Sequence, residues 1–246
     1  MKKILILSLL MCATTFSQKF PRKPITGNNI LQRVQKRYSG TKDFKANFKQ
    51  IIYYSGLKRE GVSSGSITFK KPNKVKWQQD EPEKSSYISN GKTMWLYMPE
   101  DEQVFINKNL KEVVDKIGLL FLSEESEIHK KYTISMVKAQ DALASETDKK
   151  AKSDKKKYTT QALDAEVTDL SVFFEFLPKN KDTFLKAIFK IDTNKFLISR
   201  VILYDLARNR TVINLEDIKF NVGTEDSFFE FTPPKNTEIY TSDSYK

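Results

Sequence analysis

From Phe44 onward the hydrophobic period of this chain is two. Phe44, Ala46, Phe48, Ile52 and Tyr54 share one side of an extended segment, with Lys45, Asn47 and Lys49 opposite, which is the pattern of a half-buried strand. Further strands follow around Ile67 and Phe69, around Val75 and Trp77, around Tyr87, from Thr93 to Met98 and from Val104 to Ile106. They resume near Tyr132, Ile134 and Met136, then at Val172–Phe176, Leu185–Ile191, Phe196–Tyr204, Thr211–Leu215 and Phe228–Phe231, ending at Thr232-Pro233-Pro234. Asn90-Gly91 is the pair favoured in a tight type I′ hairpin turn, and Pro99-Glu100-Asp101 supplies another turn. Short strands joined by short turns make an antiparallel meander. About eleven strands are too many for a flat open sheet without curling.

Two stretches carry a helical period instead. Leu31, Val34 and Tyr38 predict a helix over Asn28–Tyr38, with an Asn available as N-cap and Gly40 just past the end. A second helix is expected from Asn109, whose side chain caps while Glu112 reaches back. Leu110, Val113, Val114, Ile117, Leu120 and Phe121 give it a wide apolar stripe, and Ser123, Glu124 and Glu125 read as the start of another helical turn. A helix of this kind interrupting a sheet must cover something apolar. Residues 139–158, with six lysines between 149 and 157, read as a solvated insertion.

The N-terminus reads as an export signal. Lys2 and Lys3 precede the apolar run Ile4–Met11, and Thr15 and Ser17 occupy the small-residue positions before a cleavage site after Ser17. The run is too short for a membrane span. Gln18 then starts the mature chain, whose net charge is two below the +11 of the full sequence. The rival reading, a lipoprotein signal acylated at Cys12, places the large Met11 before that cysteine. Residues 18–26 form a basic linker, and 27–246 form one domain.

One Cys and one His exclude a Cys/His zinc cluster, a disulfide framework and a Cys-His dyad of the usual kind. No metal site and no cofactor are expected. His129 sits in the polar segment EIHKK and reads as a surface histidine, while Glu124 and Glu125 suit a helix start better than a catalytic pair.

GSITFKKPNKVKW (65–77), YISNGKTMWLYMPEDEQV (87–104) and FFEFTPP (228–234) occur in order and at a telling spacing. With Ala46-Asn47-Phe48-Lys49-Gln50 and the strand pair FLKAIFKID and ISRVILYD, the chain resembles the periplasmic outer-membrane lipoprotein carriers, the LolA-like proteins. The resemblance covers roughly 28–122 and 170–240 and leaves 124–169 without a clear counterpart. It implies a mainly β fold, an unclosed antiparallel half-barrel of about eleven strands whose apolar concave face lies under a lid of two or three α-helices.

The resemblance also implies a function. A carrier of this kind is a monomer in the periplasm of a Gram-negative bacterium. It accepts the acyl chains of lipoproteins from an inner-membrane ABC transporter and hands them to an outer-membrane acceptor, without enzymatic chemistry and without nucleic acid. Three long acyl chains would cost on the order of 30 kcal/mol to leave in water. The expected cavity residues are Phe48, Phe69, Val75, Trp77 and Trp95, and the expected lid residues are Leu110, Val114, Ile117 and Phe121. The residues alone fit packed core equally well; the resemblance favours a cavity. Lys71 before Pro72 stands where the family has an Arg thought to hold the lid closed, and Val75 where an aromatic is frequent. An ammonium lacks the planar fork of a guanidinium, so lid closure is weaker or differently made here. Two alternatives differ in class: a lipid or lipoprotein sensor of the same fold, and an exported hydrolase with two carboxylates converging in a cleft.

Overall fold

A computed structural model describes residues 25–57, 59–107, 125–139, 142, 160–161, 166–167, 169–180 and 184–241. Among these, β1 (Ile25–Thr26) leads into α1 (Gly27–Ser39). The strands β2 (Asp43–Tyr53), β3 (Glu60–Lys70), β4 (Lys74–Glu81), β5 (Ser85–Asn90), β6 (Met94–Met98) and β7 (Gln103–Asn107) follow. After α2 (Glu125–Lys131) come β8 (Tyr132–Val137) and the two-residue β9 (Thr160–Gln161) and β10 (Glu166–Val167). Next are β11 (Ser171–Pro178), β12 (Lys186–Asp192), β13 (Leu197–Tyr204) and β14 (Arg210–Phe220), then a 3-10 helix (Asp226–Phe229) and β15 (Glu238–Thr241).

The helix α1 starts at Thr26 rather than at an Asn. The Thr26 hydroxyl accepts from the Asn29 amide (3.2 Å), and the Asn29 side chain accepts from the Thr26 amide (3.4 Å). This reciprocal box outcompetes a lone Asn28 cap because it satisfies two backbone donors at once. Ile25 and Thr26, expected in the linker, instead pair with Val167 and Glu166.

Thirteen strands form one sheet in the order β15-β7-β6-β5-β4-β3-β2-β14-β13-β12-β11-β8-β9, and β1 pairs separately with β10. The two ends of the thirteen-strand order do not pair, so the half-barrel is unclosed as expected. The larger strand number comes mainly from the two-residue strands and from β15. That last strand is also the exception to antiparallel pairing, because it runs parallel to β7.

The Asn90-Gly91 turn differs from its expectation as well. A type I′ turn needs positive φ at both central residues, and here Gly91 has φ +91 while Asn90 has no such φ. The Asn90 side chain instead accepts from the Lys92 and Thr93 amides (3.0 Å each) in a wider loop.

Phe228–Phe231 is not a strand. Residues after β14 cross the sheet as a strap, tied by the Asp43 carboxylate, which accepts from the amides of Val222 (2.7 Å), Gly223 (3.2 Å) and Thr224 (3.3 Å). Asp226 then meets Lys70 (2.6 Å) and Lys74 (2.7 Å). Their ammonium groups, Lys70 first, hold its carboxyl down at about 2, and the same contact raises the Lys70 pKa. These polar ties turn the backbone into the 3-10 helix, which seats Phe229 with no exposure.

Residues paired directly across neighbouring strands share a face. One face carries Phe44, Ala46 and Phe48 of β2, and it packs against Ile30, Leu31, Val34 and Tyr38 of α1 together with Met136, Phe174, Phe176, Phe189, Ile191 and Ile198. This is the inner, concave face. On the outer face a smaller cluster joins Val137, Phe173, Ile188, Ile202 and Val212 to Ala142. Ala142 lies inside the expected solvated insertion yet has no exposure, so that insertion begins as packed structure; its residues 143–158 are outside the described residues, and so is the expected helix from Asn109.

Candidate functional site

The register decides which apolar candidates meet. Phe48, Phe69, Val75 and Trp77 all lie on the inner face: Phe44 pairs with Phe69, Phe69 with Val75, and Ile67 with Trp77. Phe48 and Trp77 touch, with ring centroids 4.5 Å apart. Gly65 makes this approach possible, because it pairs with Phe48 at a bulge where a Cβ would stand 2.0 Å from the Gln78 carbonyl oxygen. Phe69 and Val75 form a small cluster with Phe44, Ala46 and Ile67, to which Trp77, Leu215 and Phe220 add.

Trp95 does not join them. It pairs with Ile88, while its neighbour Leu96 pairs with Tyr87 opposite Trp77, so alternation sends Trp95 to the outer face. There its ring lies 6.1 Å from that of Phe231 in the strap, which also meets Tyr97 at 5.2 Å. The inner positions on β6 and β7 belong to Met94, Leu96 and Phe105. Alternation from Trp77 through Tyr87 identifies Leu96 once the hairpin register is known. The wider Asn90–Thr93 loop hid that register from the sequence.

Cover over the inner face is uneven. The α1 side chains bury the half built from β2 and β8 to β14. Toward β5 and β7, Trp77, Leu96 and Phe105 remain half-buried, and Tyr87 is 40% exposed. The expected lid residues Leu110, Val114, Ile117 and Phe121 are outside the described residues.

Lys71 contacts α1. Its Nζ donates to the carbonyl oxygens of Tyr38 (3.1 Å) and Ser39 (2.6 Å), the last carbonyls of the helix, where a cation opposes the negative end of the helix dipole. Burial lowers the Lys71 pKa from its ordinary value. Pro72 follows across a cis bond, and its carbonyl packs beside Gly91. Tyr38 itself anchors the end of α1: its hydroxyl accepts from the Ile198 amide (3.1 Å), and burial pushes its pKa up to about 12.

The buried carboxylates are occupied elsewhere. Asp43 ties the strap, and Glu175 pairs with Lys186 (3.5 Å); both stand on the outer face by register. His129 is exposed on α2, and its carbonyl accepts from Lys179 Nζ (2.9 Å). Among the described residues no group of three His, Cys, Asp or Glu side chains is placed to hold a metal ion.

The profile of the outer membrane lipoprotein carrier protein LolA matches residues 39–159. This chain is LolA-like. The match runs through 124–159, which the sequence motifs left without a counterpart. An outer-membrane lipoprotein carrier protein of Pseudomonas putida is 26% identical over 213 residues, covering 87% of this chain and 88% of the relative. One from Azotobacter vinelandii is 24% identical over 96% of this chain and 97% of its own. A LolA superfamily protein of Nitrosomonas europaea aligns in structure over 84% of this LolA-like chain and 98% of that protein, at 12% identity and a TM-score of 0.43.

Proposed function

We propose that this LolA-like chain is a periplasmic carrier that shelters the acyl chains of lipoproteins against the inner face of its half-barrel. The observation that carries the reading is the uneven cover of that face. One half is packed by α1, whereas Trp77, Leu96 and Phe105 form an apolar floor that stays partly open. Such a surface on a monomer marks a site for an apolar partner. The names of the relatives, outer-membrane lipoprotein carriers, support a lipoprotein's acyl chains as that partner.

Topology supports a lid. β7 and β8 stand near opposite ends of the sheet order, and residues 108–124 followed by α2 join them, so the stripe of Leu110, Val114, Ile117 and Phe121 belongs to the connection between the two rims. Cargo and stripe compete for the same floor, so opening and closing must be nearly balanced. Lys71 is fastened to the end of α1. An inner-membrane transporter as source and an outer-membrane acceptor as destination complete the reading, which requires no catalysis.

The test is competition. A fluorescent apolar dye bound by the mature protein should be displaced by an acylated lipopeptide and not by the same peptide without its chains. Phe121→Asn should increase dye binding by loosening the stripe. Equal displacement by both peptides would sink the acyl-chain reading, and a Phe121 variant that loses stability without gaining dye would make the stripe ordinary core.

A further inference from the structure

The helix α1 buries one polar side chain among its apolar ones. Gln35 is 2% exposed, and neither its Nε2 nor its Oε1 has a hydrogen-bond partner among the described residues. A buried amide left unpaired costs about 1–3 kcal/mol, and each such group in a native fold calls for an explanation. Leucine at this position would pack without that cost.

Helix geometry shows which way Gln35 faces. At 3.6 residues per turn it borders the buried stripe on the side away from Arg33 and Arg37. Those guanidinium groups lie over the rings of Phe196 (5.0 Å) and Phe220 (5.4 Å). Both rings belong to one end of the sheet, where β12 turns into β13 and β14 finishes. Gln35 is thus on the border of the buried stripe turned away from that end, one turn from Leu31.

We propose that the Gln35 amide is the polar anchor for the carbonyl at the head of a bound acyl chain. Nε2 donates to the carbonyl oxygen; a trans amide turns its N–H to the opposite side, so the carbonyl is the group that Gln35 engages. An amide carbonyl is the stronger acceptor for that donor, an ester carbonyl the weaker, and a hydrocarbon offers none. The site therefore ranks amide-linked chains above esters of equal length. This inference rests on the acyl-chain reading of the same face and adds to it a preference for the linkage.

The experiment uses the full mature chain and its Gln35→Leu and Gln35→Met variants. Three probes are titrated: a hydrocarbon dye with no hydrogen-bonding group, an N-dodecanoyl secondary amide, and the dodecanoyl ester of matched size. Both variants should melt no lower than the wild type and bind the dye unchanged. Both should lose about tenfold in amide affinity, the worth of one buried hydrogen bond, and less in ester affinity. Unchanged amide affinity in the variants would overturn the anchor. So would a lower melting temperature with dye and amide weakened together, the result expected if Gln35 holds a structural water. Failure of the wild type to bind either dye or amide would instead remove the acyl-chain reading, and the anchor with it.

Discussion

The Lys71 ammonium stands 2.6 Å from the carbonyl oxygen of Ser39, fastening the β3–β4 turn to the last turn of α1. Attraction to the helix C-terminus and two charge-assisted hydrogen bonds favour the contact, and desolvation of the ammonium offsets part of the gain. Lys71→Met should therefore lower stability by about 1 kcal/mol, and Lys71→Arg should keep most of it. Urea unfolding checks this; a Lys71→Met protein as stable as the wild type would mean that water serves those carbonyls equally well.

The two tryptophans report on opposite faces. An apolar ligand on the inner face should shift the emission of Trp77 and leave that of Trp95 unchanged. Fluorescence titration of Trp95→Phe should retain the full ligand response, and Trp77→Phe should lose it. A response that follows Trp95 would place the ligand under the strap.

Acid should loosen the strap before it unfolds the sheet. The folded Asp226 carboxyl titrates at about 2, below its ordinary 3.8, so its contribution is present above about pH 4 and disappears as the pH falls toward 2. The raised Lys70 pKa works at the other extreme, its contribution being lost only as the pH climbs through that raised value. Emission of Trp95, followed in a Trp77→Phe background, should change in this acid window. The same change should appear near neutrality in Asp226→Asn; an acid titration identical in Asp226→Asn and its parent would show that another carboxylate governs the strap.

Gly65→Ala should cost about 1–3 kcal/mol or more, the range for overpacking a tight site. Its Cβ would meet backbone at 2.0 Å, so β4 has to move and the Phe48–Trp77 contact opens with it. Thermal unfolding together with the near-ultraviolet signal of Trp77 measures both effects. A variant with unchanged melting and an unchanged signal would show that the bulge relaxes freely.

Deleting residues 143–157 should leave the fold intact, because that stretch has almost no apolar side chains to bury. Ala142→Glu should instead destabilise by several kcal/mol, since it places an unpaired charge in the outer cluster. Comparing the melting temperatures of the two proteins locates the border between packed chain and solvated insertion.

Most strands were legible because each strand face is either apolar or polar, and period-two alternation survives any choice of neighbours. The choice of face was not. Trp95 is larger than Leu96 and sits in the segment YISNGKTMWLYMPEDEQV that carries the resemblance, yet the loop after Asn90 sets a register that turns it outward. Phe228 and Phe229 look like strand residues for the same reason of size. What bends them into a 3-10 helix is the pull of Lys70 and Lys74 on Asp226, two side chains distant in sequence. Lys71 could be singled out from its place before Pro72, but its partners are backbone carbonyls, which no residue type announces. Gln35 falls at a helix position where a polar residue normally marks the wet border, and only its burial separates it from Gln32.

The central position of β2 has a consequence for the order of folding. It lies between β3, its immediate successor, and β14, the last long strand of the chain, and Asp43 at its start is completed only by Val222, Gly223 and Thr224. A chain emerging from its N-terminus can zip β2 through β7 as local hairpins, but the second edge of β2 waits until residue 220 has appeared. Until then an aromatic-rich ribbon presents an open edge and an uncovered apolar face, the condition in which unfinished sheets join their neighbours. The strand that starts the sheet waits for its second neighbour until most of the chain has appeared, so the chain has its greatest need of protection while it is still being made.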